Sequence, residues 1–323
     1  VFVQVMTEKQ ACLQLKGEYG WGGAFVVKLN ELHPKMFVQT INSMEMCPHP
    51  EDAPGSPNRR RQSLIFDRSL FDVNSTYIFS FNGVLLPPDT EKGQSVVRSI
   101  NKLIKEGKRV VFITNDATLS RVSLFNKITN DYGVALMESP HMQETLKRCS
   151  GDECCQAETA ARCAKECVVT SSCTCAWLLA YHGIKRPFVI CYGTGLLEEL
   201  EAVGITEYYA TVNRDGTHKK QFLEPVSVPT IIDIIKQAPE VDAIVVGWDH
   251  RLTALTIAVA AQYVRWSEEL GDTMHIFACS MDIGGIVGRA SHDFEVPSFA
   301  GRKVRTLGIG TMATAISRCA ASE

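Results

Sequence analysis

Two segments of this 323-residue chain combine residue types and setting most open to chemistry: Ser80-Phe81-Asn82-Gly83-Val84-Leu85 and Phe112-Ile113-Thr114-Asn115-Asp116-Ala117. Each closes a short apolar run that reads as a buried strand, so its polar side chains fall where a strand gives way to a turn. A serine hydroxyl is a nucleophile only when a neighbouring base takes its proton, and an asparagine amide neither gives nor takes one usefully. Gly83 suits the turn that leaves the strand. Thr114 and Asn115 can cap a following helix or, with nearby backbone amides, hold an anion. Asp249, His250 and Asp282 stand in comparable places further along the chain.

The elements that must position these residues follow from the pattern of apolar residues. Thr76 to Phe81 reads as a strand, Gln94 to Lys105 as a helix with Val97, Ile100, Leu103 and Ile104 at helical spacing, and Arg109 to Ile113 as the next strand. The alternation resumes downstream. Pro187 to Cys191, Asp242 to Trp248 and His275 to Ala278 read as strands. Leu196 to Val203, Thr253 to Trp266 and Gly310 to Ala321 read as helices. Strands alternating with helices imply parallel sheets built of βαβ units. Ahead of them, residues 1 to about 47 are weakly periodic, and Cys47 to Asn58 is a proline-rich polar run expected to be a linker. The arginines 59 to 61 that follow read as a solvated patch.

Composition narrows the function classes. A charged fraction of 21%, a hydrophobic fraction of 45% and a formal net charge of −3 describe a globular chain with no electrostatic reason to bind nucleic acid or an anionic membrane. The stretch from Leu252 to Val264 is broken by Thr and Gln and falls short of the roughly 20 residues of a membrane helix. The chain starts with Val1 rather than Met, which either a removed presequence or an incomplete sequence would explain; the first would suit a mitochondrion or another organelle. Seven of the 12 cysteines lie between Cys149 and Cys175. Zinc ligation, disulfides and free thiols on a helical insertion all remain open for them, although no C-x-x-C pair occurs.

The two opening segments resemble the start of the haloacid dehalogenase (HAD) phosphatases. In that family the first strand ends in D-x-D-G-[VT]-[LI] and the second in a Thr-Asn pair. Tyr192 to Ile205, Val241 to Asp249, Cys279 to Asp282 and Gly308 to Ile316 resemble, in the same order, segments of its phosphoglycolate and 4-nitrophenyl phosphate phosphatase branch. The resemblance implies a Rossmann-like α/β core, incomplete here, with an inserted α/β cap. It divides the chain into an extension and linker at 1–75, a first core part at 76–145, a cap at 146–295 with a cysteine-rich insertion at 147–166 outside both α/β units, and a return to the core at 296–323.

The same resemblance implies what is altered. The family's first Asp attacks phosphorus and ligates magnesium, and its second is the general acid and base. Ser80 and Asn82 stand in those two places. The family's Lys and acidic metal-binding pair would lie beyond Glu323. Expected, therefore, are no catalytic residues, no cofactor, lost magnesium binding, a relic phosphate site at Thr114, Asn115 and Gly83, and a relic substrate loop at Asp249 and Asp282. A pseudoenzyme of this kind is expected to act as an accessory subunit of a larger protein complex, with a homodimer through the cap as a further contact. A non-catalytic sensor of phosphorylated metabolites and an active phosphatase are the alternatives.

Overall fold

The computed structural model describes residues 24–26, 76–82, 84–149, 156–289 and 303–321. These fall into two compact units, Val1–Ile113 with Ile128–Cys155, and Thr114–Lys127 with Gln156–Glu323.

The first unit is built on β2 (Thr76–Ser80) and β3 (Arg109–Thr114), which pair in parallel with Ser80 opposite Ile113. All five residues of β2 are buried, as expected of β-branched and aromatic residues in a parallel pair covered on both faces. On its other side β2 pairs antiparallel with β1 (Ala24–Val26), Ala24 lying opposite Phe79. The connection to β3 runs through α1 (Glu91–Lys105), which buries Ile100 and Ile104. Its N-cap Thr90 accepts from the Gly93 N–H at 3.0 Å, satisfying one of the helix's open donors. Gly93 has no substitute there, because a Cβ would lie 2.1 Å from the Pro87 carbonyl oxygen. Asn101 then holds the chain after the π-turn Lys127–Asp131, donating to the Gly133 carbonyl and accepting from Ala135 N–H. Helix α3 (Pro140–Cys149) completes the described part of this unit.

The second unit carries a four-stranded parallel sheet in the order β6 (Tyr209–Ala210), β5 (Pro187–Ile190), β7 (Ala243–Val246), β8 (His275–Ala278). Strand residues alternate between two apolar cores, as a period of two requires. Phe188, Ile190, Ile244 and Val246 face one. It is closed by Ile234 and Ile235 of α7 (Val228–Gln237), Leu255 and Val259 of α8 (Ala254–Glu269), and Met312 and Ile316 of α9 (Ile309–Ala320). Val189, Ala243 and Val245 face the other, under Leu179 of α5 (Ser171–Tyr181) and Leu196 and Leu200 of α6 (Gly195–Ala202). Each such Val, Leu, Ile, Phe or Met side chain, fully buried, contributes about 1.5–3 kcal/mol.

Two expectations change here. The last helix was expected to mark the chain's return to the first α/β core; α9 instead closes the core of the second unit, because its apolar stripe Ile309, Met312 and Ile316 fits the face left by α8. The cysteine-rich stretch does not stand outside both units either. Residues 150–155 lie outside the described residues, but α4 (Gln156–Cys167) packs on α2 (Arg121–Asn126) within the second unit. There it buries Cys163, Ala164 and Cys167. A short strand, Val168–Thr170, leads from it into α5. Strands β9 (Gly284–Arg289) and β10 (Lys303–Leu307) form an antiparallel pair between β8 and α9. Among the described residues no helix is long and apolar enough to cross a membrane.

Candidate functional site

Ser80 is the last residue of β2 and is 7% exposed. Its hydroxyl donates to the backbone carbonyl of Asn82 at 3.2 Å. A hydroxyl whose proton sits on a carbonyl has no base to take it, so this geometry does not generate an alkoxide. The same bond engages the Asn82 carbonyl oxygen, and neither side chain brings charge. Magnesium, the metal the family resemblance implies, does not fit this pair, because it is held by carboxylates and a neutral hydroxyl and amide are poor replacements. Gly83 lies outside the described residues. Among the described residues no group of three or more His, Cys, Asp or Glu could hold a metal ion.

The loop after β3 is held by its own side chains. Thr114 Oγ1 accepts from Asp116 N–H at 3.1 Å, and the Asp116 carboxylate accepts from both N–H and hydroxyl of Thr118 at 2.9 and 2.6 Å. The cap of α2 is Ser120, whose hydroxyl accepts from Ser123 N–H, so Thr114 and Asn115 do not perform that role. The Asn115 amide donates to the carboxylate of Asp282, bringing together two residues that lie 167 positions apart. This places a carboxylate on the donor that an anion site would need, with Asp116 one residue away. The arrangement disfavours a phosphate ligand on electrostatic grounds.

Asp249 does not line an open loop. It is fully buried. One carboxylate oxygen accepts from Arg251 N–H at 2.8 Å, and the other lies 3.1 Å from His218 Nε2. His218 Nδ1, also buried, has no hydrogen-bond partner. A buried carboxylate needs such a partner, which makes the pair a structural tie between the loop after β7 and the turn before Lys219. His250 instead meets Tyr192 edge to face, ring centres 4.1 Å apart.

A stronger tie was not visible in the sequence. Arg121, at the start of α2, donates through its backbone N–H and guanidinium to Glu199 of α6 at 2.6 to 3.2 Å, with both side chains buried. Burial works against the Arg121 charge, but the hydrogen bond and the charge of Glu199 override it and hold its pKa above the usual value. Ser171 and Ser172 hydroxyls donate to the Asn115 and Leu119 carbonyls at 3.0 Å. Gly195 lets the start of α6 approach this loop, since a Cβ there would lie 2.4 Å from the Thr118 carbonyl oxygen. Residues 115–121 are therefore fixed on one side by α5 and on another by α6. A composition scan sees only ordinary Arg, Glu and Ser at these positions.

Cys163, Cys167, Cys173, Cys175 and Cys191 are buried free thiols, while Cys319 is exposed. Burial pushes Cys173 and Cys191 up to about 12, and Cys279 is raised by its hydrogen bond to Cys175 and by burial. Thiols in such surroundings do not ionise readily and serve as small apolar side chains.

No family model matches this sequence, and no curated protein does. The solved structures that this chain matches include a hypothetical protein of Pyrococcus horikoshii (18% identity, TM-score 0.45, covering 76% of this chain and 68% of that one). The glycerol phosphate phosphatase of Mycobacterium tuberculosis, solved in complex with magnesium, is 17% identical with a TM-score of 0.40, covering 77% of this chain and 52% of that one. The 4-nitrophenylphosphatase of Thermotoga maritima is 18% identical with a TM-score of 0.42, covering 78% and 67%. The chain thus spans about half the length of the mycobacterial protein. Several of these structures are phosphatases by name, and this chain is itself a mixed α/β protein with a parallel sheet.

Proposed function

We propose that this chain is a phosphatase-like protein without phosphoryl-transfer activity, and that it acts by binding other proteins as an accessory subunit. The observation that carries the first half is the Ser80 hydroxyl resting on the Asn82 carbonyl. Nucleophile and general acid are replaced together, and the Ser80 hydroxyl is directed to a backbone carbonyl rather than to a base. Asn115 on Asp282 argues further against a retained phosphate site.

Support for the second half is physical. A parallel sheet needs its edges covered, and among the described residues the edge of β2 is met by Ala24–Val26, paired as far as Phe79. Ser80 lies beyond the end of that pairing. The natural occupant of such an edge is more polypeptide, from the extension or from a partner. Deleting residues 1–75 should therefore make the protein insoluble or strip it of its companions when it is recovered from its native source. A deletion variant that stays a soluble, folded monomer, together with a full chain that purifies alone, would contradict the accessory-subunit reading.

A further inference from the structure

The second unit has a cavity of about 440 Å³ at the amino ends of β5, β6 and β7, opposite the strand ends discussed above. Its volume falls within the range of small-molecule sites. Tyr208 and Tyr209 form one wall, and Ala238, Pro239 and Val241 supply an apolar floor. Most polar groups around it already hold one another. Arg186 is paired with Glu240, and its backbone N–H is bound by Asp242 at 3.0 Å. The Tyr209 hydroxyl donates to Gln237 at 3.0 Å, and that of Tyr208 to Glu201 at 2.7 Å. Burial and the Glu201 carboxylate push the Tyr208 phenol up to about 12, so this wall stays neutral at ordinary pH.

Among the described residues one charged lining group is left without a partner, the carboxylate of Glu207. An aromatic and aliphatic cavity with a single uncompensated negative charge suits a ligand of opposite description. We propose that this cavity binds an organic monocation, an ammonium or guanidinium group on an apolar stem, with Glu207 as its counter-ion and Tyr208 as its apolar wall. The stem fills the floor while the charge stays at the rim, where it costs little to desolvate. The same residues disfavour phosphate esters, because Arg186, the one cation among the lining residues, is already neutralised by Glu240, and the nearby Lys219 is held over the Tyr209 ring. The source is either a free amine or a Lys or Arg side chain presented by a partner protein.

Isothermal titration of the full chain separates these outcomes. Phenethylammonium should bind saturably and phenylacetate, its counterpart of opposite charge, should not. Glu207→Gln should weaken phenethylammonium by about fivefold, the scale of an exposed ion pair, with no change in melting temperature because Glu207 is exposed. A capped lysine peptide binding more tightly than phenethylammonium would identify the source as a partner's side chain; phenethylammonium alone binding would identify a free amine. The proposal is overturned if neither cation binds saturably, if phenylacetate binds as well as phenethylammonium, or if Glu207→Gln leaves the affinity unchanged.

Discussion

Replacing Glu199 by Gln should destabilise the second unit more than any surface substitution. The change keeps the shape of the side chain but removes the charge that Arg121 faces, in a pair whose side chains are 7% and 3% exposed. Three guanidinium contacts between 2.7 and 3.2 Å lose their anionic acceptor, and the backbone N–H of Arg121 keeps at most a neutral one. Leaving one member of a buried ion pair uncompensated costs about 3–5 kcal/mol, about a fifth or more of the about 5–15 kcal/mol of a whole domain. The double replacement Arg121→Met with Glu199→Met removes both charges and retains bulk. Its main penalty is the Arg121 N–H left without an acceptor, about 1–3 kcal/mol. The double variant should therefore be more stable than Glu199→Gln alone. Urea unfolding followed through Trp177, Trp248 and Trp266, all in this unit, measures both. A loss below about 1 kcal/mol for Glu199→Gln, or a double variant less stable than the single, would refute the view that this pair anchors the loop after β3.

Gly195→Ala should cost about 1–3 kcal/mol in the same assay, because its Cβ would meet three backbone atoms of residues 118–120 at 2.4 to 2.6 Å and one segment must move. Native Cys173 and Cys191 should resist iodoacetamide at pH 8, where a pKa of about 12 leaves about one thiol in ten thousand ionised, and should label on unfolding, as peptide mass mapping would read. Their folded pKa values are raised, so the stability linked to them is complete below about pH 9 and falls as pH rises towards about 12; base titration of the urea midpoint checks the sign.

Much of the strand and helix order was legible from periodicity alone. The strands at 76–80, 109–114, 187–190, 243–246 and 275–278, and the helices at 91–105, 195–202, 254–269 and 309–320, lie within a few residues of where the apolar spacing predicts them. What periodicity does not carry is which core an element joins. The helix 309–320 and the cysteine-bearing helix 156–167 both read as amphipathic, but the face each covers depends on neighbours distant in sequence. Several elements were missed outright, among them Arg121–Asn126, Ser171–Tyr181, and two whose sequences explain the miss. The two-residue strand Tyr209–Ala210 is too short to show alternation, and the helix Val228–Gln237 carries β-branched Val, Thr and Ile that argue against a helix until Ser227 caps it and Pro229 opens its first turn.

The candidate site divides in the same way. The identities of Ser80 and Asn82 could be read from sequence because their chemistry is a property of residue type. The fates of Asp249 and Asp282 could not, since each depends on a partner elsewhere in the chain: His218 for one, Asn115 for the other. Arg121 and Glu199 gave no signal because an ion pair formed across 78 residues leaves no local pattern.

The most direct test of the central claim is hydrolysis of 4-nitrophenyl phosphate by the purified chain, with and without magnesium, beside Ser80→Ala and the double variant Ser80→Asp with Asn82→Asp. The account predicts that the unaltered chain and Ser80→Ala both stay at the rate of buffer, because the Ser80 hydroxyl rests on a carbonyl and no carboxylate stands at 80 or 82 to attack phosphorus or move the proton; the double variant reads whether two carboxylates alone suffice. Magnesium-dependent turnover by the unaltered chain that Ser80→Ala abolishes would contradict it.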